Sequence, residues 1–177
     1  DDLQYQRLRQ ELGYSADKSA LSADDKDAIK AAFTTHYGYD ATGNLISTRE
    51  TTATGDTSLS LFKHDALGRV VARLSATGTL TTFSYDGNGN EVETRVYHGE
   101  YPLNASGAIP PPDSGDTYSS TTTSYDLLNR RRQFTIDDAV YGNQANELTY
   151  DTFGNLRSSI DGPASGSERR TEYSYDA

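Results

Sequence analysis

A short motif recurs along this chain, and its recurrence constrains the fold more than any other feature. HYGYDATGNLIS occupies residues 36–47. Related segments begin at Lys63 (KHDALGRVVA), Ser84 (SYDGNGNEVE), Ser124 (SYDLLNRRRQ) and Thr149 (TYDTFGNLRS), and YSYDA follows at residues 173–177. Each copy can be labelled by the residue before its Asp: Tyr39, His64, Tyr85, Tyr125, Tyr150 and Tyr175. The intervals between them are 25, 21, 40, 25 and 25 residues. Periods of roughly 20–50 residues mark stacked supersecondary units. The long interval contains NASGAIPPPDSGD, residues 104–116, which reads as an insertion.

The flanks of the motif alternate with period two, the period of a strand. In residues 81–96, Phe83 and Tyr85 alternate with Thr82 and Ser84. After the motif, Val92, Thr94 and Val96 alternate with Glu91, Glu93 and Arg95. The position two before each label is Tyr37, Phe62, Phe83, Thr123, Leu148 or Tyr173, large and apolar or aromatic in all but one.

Between the flanks, Asp followed three positions on by Gly fits a type I turn that ends in a left-handed residue, a G1 bulge. Asp at the first position accepts hydrogen bonds from the amides of the bend. The motif Asp residues are Asp40, Asp65, Asp86, Asp126, Asp151 and Asp176. The left-handed position falls to Gly43, Gly68, Gly89 and Gly154. In the remaining complete copy it falls to Asn129, and Asn is the usual visitor there after Gly. The spacing predicts turns at 40–43, 65–68, 86–89, 126–129 and 151–154.

Residues 1–35 depart from the repeat. Asp2 caps a predicted helix over 3–12, with Leu3, Tyr5, Leu8 and Leu12 near one face and Gly13 as its stop. Ser22 begins SADD, a capping box, and a second helix is predicted over 22–34. The pair is expected to pack on the first hairpins, with docking of a partner helix as the alternative. The fold class is therefore mainly β: antiparallel hairpin repeats over 36–177 in a twisted sheet, preceded by a helical pair over 1–35.

Composition narrows the partners. Net charge is −10, which argues against nucleic acid and anionic membranes, both of which need a basic footprint. No window approaches a membrane span, so this segment is not expected to insert in one. There is no cysteine, hence no disulfide and no thiolate metal site. The chain has no methionine and stops inside a repeat, which reads as a piece of a longer protein.

The copies resemble the YD-repeat or Rhs-repeat family, whose pattern is Tyr-Asp, two residues, Gly, Asn or Arg, then an apolar residue. YDATGNLI and YDTFGNL match closely, and HDALGRVV matches with His for Tyr. YDGNGNEV departs with Glu91 at the apolar position, and YDLLNRRRQ departs at the glycine and beyond. Members include bacterial Rhs proteins, B and C components of insecticidal toxin complexes, wall-associated bacterial proteins and teneurins. The resemblance implies hairpins joined edge to edge in a long spiralling sheet, closed in several members into a shell around a toxic C-terminal domain. It also implies a secreted or cell-surface bacterial parent. Neither a self-cleaving segment nor a toxin domain is legible in these residues.

Other constellations are poor in chemistry. His36, His64 and His98 are not spaced as metal ligands, and His64 occupies a repeat tyrosine position. Asp137 and Asp138 are adjacent and would face opposite ways in a strand. A calcium reading of Asp86, Asn88 and Asn90 lacks the distal bidentate Glu, and turn chemistry explains the same residues. Arg130, Arg131 and Arg132 read as a solvated strand face or as cross-strand pairs with Glu, with an anionic glycan as the sharper alternative. Asn104 lies in a glycosylation sequon. Two functions follow: a structural segment that encloses or displays another domain, or an adhesive module that binds a glycan or surface protein. No catalysis and no cofactor are expected.

Overall fold

A computed structural model describes residues 22–24, 34–51, 56–102, 107–138, 142–163 and 168–176. The chain divides into two compact units, residues 1–62 and 63–177. All described regular structure except a short helical stretch at Ala23–Asp24 is β. The expected helices over 3–12 and 22–34 otherwise lie outside the described residues. Thr35, expected to belong to the helical segment, already begins a strand.

In the first unit, β1 (Thr35–Tyr39), β2 (Leu45–Thr51) and β3 (Thr57–His64) pair antiparallel in sequence order, and the last two residues of β3 belong to the second unit. The second unit holds β4 (Val70–Leu74), β5 (Leu80–Tyr85), β6 (Glu91–Tyr97) and β7 (Tyr118–Tyr125). It continues with β8 (Arg131–Asp137), β9 (Gln144–Tyr150), β10 (Leu156–Pro163) and β11 (Arg169–Glu172). From β4 to β11 each strand pairs antiparallel with the next. Among the described strands only neighbours in sequence pair, whether joined by a short turn or, as for β6 and β7, by a longer connection.

All five predicted turns are present. In each, the fourth residue's N–H donates to the Asp carbonyl at 3.0–3.1 Å, and the Asp N–H donates to the carbonyl four residues on at 2.9 Å. The left-handed position is filled as predicted, from Gly154 at φ 92° to Asn129 at φ 59°. The same backbone pattern closes a sixth turn at Ser75–Gly78, where the expected motif is absent.

One irregularity repeats. Gly38 pairs with Ser47 and Tyr39 with Leu45, which leaves Ile46 without a partner. Val92, Arg132 and Arg157 are skipped in the same way in later copies. Each is a bulge, which raises local twist.

The core is thin. Leu74 and Leu80 pair directly and are fully buried. Filling one such site with leucine stabilises by about 1.5–3 kcal/mol. The connection after β6 folds back so that Tyr101 N–H donates to the Gly78 carbonyl at 3.0 Å. The Tyr101 ring meets Tyr97 edge to face, centroids 6.0 Å apart, and both rings are buried. The described part of the 104–116 insertion holds a turn at Asp113–Asp116, and Tyr101 hydroxyl donates to the Asp116 carboxylate.

Candidate functional site: the repeated turn and its tyrosine

The motif carboxylate works as an organiser of its own turn. In every complete copy Asp Oδ1 accepts from the N–H groups two and four residues on, at 2.8–3.0 Å. Oδ2 accepts from the fifth turn residue's side chain. That donor is the Asn44, Asn90 or Asn155 amide, or the Arg69 or Arg130 guanidinium. Asn and Arg alternate at this position because both bring an N–H to the same oxygen. The two arginines add ion pairs of 2.7 Å to Asp65 and Asp126.

These donors favour the charged carboxylate, so the motif acids are held below their ordinary range. The Asn44 side chain is the main cause at Asp40, and the Arg69 side chain at Asp65. At Asp151 desolvation pushes the other way, but hydrogen bonds from Asn155 and Phe153 outweigh it. Acids so satisfied are poor general bases and poor metal ligands. At Asp86 the turn amides donate to Oδ1 and the Asn90 side chain to Oδ2. No group of three His, Cys, Asp or Glu able to hold a metal occurs among the described residues.

The tyrosine before the Asp reaches back one hairpin. Tyr85 hydroxyl donates to the Val70 carbonyl at 2.8 Å, and Tyr125 to Glu91 at 3.2 Å. Tyr150 donates to Arg131 at 2.8 Å, and Tyr175 to Leu156 at 2.9 Å. Every acceptor is the fifth residue after the previous motif Asp. There the strand ladder has stopped: β4–β5 ends at Ala72↔Thr82, β6–β7 at Glu93↔Thr122, β8–β9 at Gln133↔Glu147 and β10–β11 at Ser158↔Glu172. Each hydroxyl thus supplies a hydrogen bond to a carbonyl beyond the end of the ladder.

The remaining motif residues behave differently. Tyr39 is 59% exposed. His64 cannot extend a hydroxyl, and its buried Nδ1 has no partner among the described residues. Asp176 is described but lies beyond the last complete turn.

Adjacent turns also touch. Arg69 lies 4.5 Å from the Tyr85 ring centroid and Arg130 lies 4.4 Å from that of Tyr150. Asn129 Oδ1 accepts from Asn88 Nδ2 at 3.0 Å and from Asn90 Nδ2 at 3.1 Å. Arg130 therefore precedes its strand, pairs with Asp126 and stacks on Tyr150. The expected pairing with Glu across strands is not its role. Sequence reasoning had given the fifth turn residue no function, although Asn or Arg stood there in every copy. It also missed Ser75, whose Oγ accepts from Thr79 N–H at 3.0 Å in the place of an Asp.

One cluster joins histidine, serine and aspartate. His98 Nε2 and Ser119 Oγ are 2.7 Å apart, and Ser119 Oγ donates to Asp138 Oδ2 at 2.8 Å. The single hydroxyl proton is spent on Asp138, so Nε2 carries the hydrogen of the other bond. A nucleophilic serine needs the reverse, with its proton directed at the imidazole. Asn104 lies outside the described residues. No helix among the described residues is long and apolar enough to cross a membrane.

The family model described as RHS Repeat matches residues 64–97, which contain the His64 and Tyr85 copies. Two crystal structures, of TcdB2-TccC3-Cdc42 and of TcdB2-TccC3, are similar at 18% and 17% identity. Each likeness covers 78% of this chain and 8% of the other, with TM-scores of 0.39 and 0.38. The chain thus spans a small fraction of those proteins' length. No curated protein matches it.

Proposed function

We propose, from the premise that this chain carries Rhs repeats, that it is a scaffold segment of a larger, secreted or surface-displayed protein. Its sheet encloses or displays another domain of the same parent, a toxin domain being the class the repeat suggests. The observation that carries this reading is how the recurrent polar side chains are used. Motif carboxylates are spent on their own turns, and motif hydroxyls on the hairpin before. Side chains committed in this way join repeats to one another and leave little free for chemistry. The segment needs no cofactor and performs no catalysis. The direction of the Ser119 proton supports that view.

Limited proteolysis of the full-length parent tests the proposal. A flanking domain protected only while the repeats are folded supports enclosure. Equal digestion of that domain with and without the repeats excludes it.

A second reading, adhesion to a glycan, draws on Tyr37 and Tyr39, each 59% exposed. Saturable binding on a glycan array that is lost in Tyr37→Ala with Tyr39→Ala would favour it over the scaffold.

A further inference from the structure

The insertion between β6 and β7 takes no part in the turns or in the tyrosine bonds between hairpins. Three of the chain's five prolines stand together in it, as Pro110, Pro111 and Pro112. Proline fixes φ near −65° and drives the residue before it out of the α region. Ile109, Pro110 and Pro111 each precede a proline, so the run is held in the polyproline II form. Pro111 and Pro112 are exposed, whereas Ile109 and Pro110 are half-buried. Among the described residues nothing donates a hydrogen bond to the carbonyls of residues 109–112. The end of the run is anchored. Asp116 Oδ2 accepts from Asp113 N–H at 2.7 Å and from the hydroxyl of the buried Tyr101. Asp116 N–H donates back to the Asp113 carbonyl at 3.1 Å, and Tyr101 N–H is bonded to Gly78. The residue after the third proline is thus tied, through one carboxylate, to a ring in the core.

We infer that Pro111 and Pro112 form a docking ridge for a partner protein domain whose groove is lined by aromatic rings and rimmed by basic side chains. Aromatic grooves take proline runs because a preformed polyproline II segment loses little entropy on binding. The carbonyls left without donors suit the hydroxyl and indole N–H groups of such a groove. Anchoring through Asp116 and Tyr101 lowers the cost of ordering further. The rim is basic because the exposed Asp113 follows the run directly and the net charge is −10. A groove that takes prolines three residues apart, as SH3 domains do, fits less well, since Asp113 stands three residues after Pro110. The groove that fits clamps adjacent proline rings. This inference does not depend on the scaffold reading.

The test is an NMR titration of the intact chain with a panel of isolated WW and EVH1 domains, and with SH3 domains for comparison. Saturable binding by at least one WW or EVH1 domain is expected, with shifts at the Ala108 and Asp113 amides. Pro111→Ala with Pro112→Ala should weaken it by about tenfold or more while the β-strand resonances persist. A free peptide of residues 107–117 should bind about tenfold more weakly than the intact chain, because it lacks the anchor. Tyr101→Phe should move the intact chain toward the peptide. No saturable binding by any WW or EVH1 domain, undiminished binding in the double variant, tighter binding by SH3 domains, or equal affinity of peptide and intact chain would each overturn the assignment.

Discussion

The hydroxyl of Tyr150 donates to the carbonyl of Arg131, 2.8 Å away and one hairpin back along the chain. The β8–β9 ladder has already ended at Gln133↔Glu147. One side-chain oxygen thereby extends the hydrogen bonding between two hairpins past the end of their backbone pairing. Tyr150→Phe keeps the ring and removes the bond, and a loss of about 1 kcal/mol is expected. Tyr173→Phe, whose hydroxyl makes no hydrogen bond among the described residues, should be near neutral. Urea midpoints compare the two, and equal losses would remove the staple role.

At the left-handed position, Gly89→Val should cost about 1–3 kcal/mol, because φ is 88° there and a β-branched residue is strained. Asn129→Gly relieves strain but loses the acceptor for Asn88 and Asn90. Sequence alone suggests that this change is neutral or stabilising. The hydrogen bonds turn the expectation into a small loss, below that of Gly89→Val. A gain in stability in the glycine variant would show that the link between turns contributes nothing.

Acid should loosen the turns. The folded pKa of Asp65 is lowered, chiefly by the Arg69 side chain, and that of Asp126, chiefly by the Arg130 backbone N–H. A depressed folded pKa means that the unfolded chain takes up protons first. The stabilisation is complete above the unfolded Asp value of about 3.9 and is lost as pH falls through the folded values. Urea midpoints should therefore drop as the pH falls below about 4, and the drop should be shallower in Asp65→Asn with Asp126→Asn. An unchanged pH profile in that double variant would refute the linkage.

The contact of Arg130 with Tyr150 is measurable by a double-mutant cycle using Arg130→Ala and Tyr150→Leu. A coupling of about 0.5–1 kcal/mol is expected for a half-exposed cation over a ring. Additive losses would mean that the guanidinium serves Asp126 alone.

Tyr101 should be the last tyrosine to ionise. Burial, then the hydrogen bond to Asp116, raises its pKa well above the ordinary value of about 10. A spectrophotometric titration should show a late component that disappears in Tyr101→Phe. If that component stays, Tyr101 does not pack as described.

The turns were legible because their chemistry is local. Asp at the first position and Gly or Asn at the fourth are required by φ and by N–H groups within five residues, so a short window contains the whole requirement. The alternation around Phe83 and Val92 declared strands for the same reason. The reach of Tyr150 to Arg131 was not legible, since it depends on where a ladder between non-neighbouring segments stops. Arg130 looked like a strand residue because its partners, Asp126 and the Tyr150 ring, converge on it only when two hairpins lie side by side. Ser75 escaped notice because a hydroxyl took over the carboxylate's task.

Sequence by itself determined the hairpins, their turns and the order in which they follow one another, because each unit needs nothing beyond its own residues. Tertiary structure alone decided how successive hairpins are joined to one another. Whether the fifth turn residue covers the next tyrosine depends on side-chain length measured across a strand spacing of about 4.8 Å, a distance no linear pattern contains.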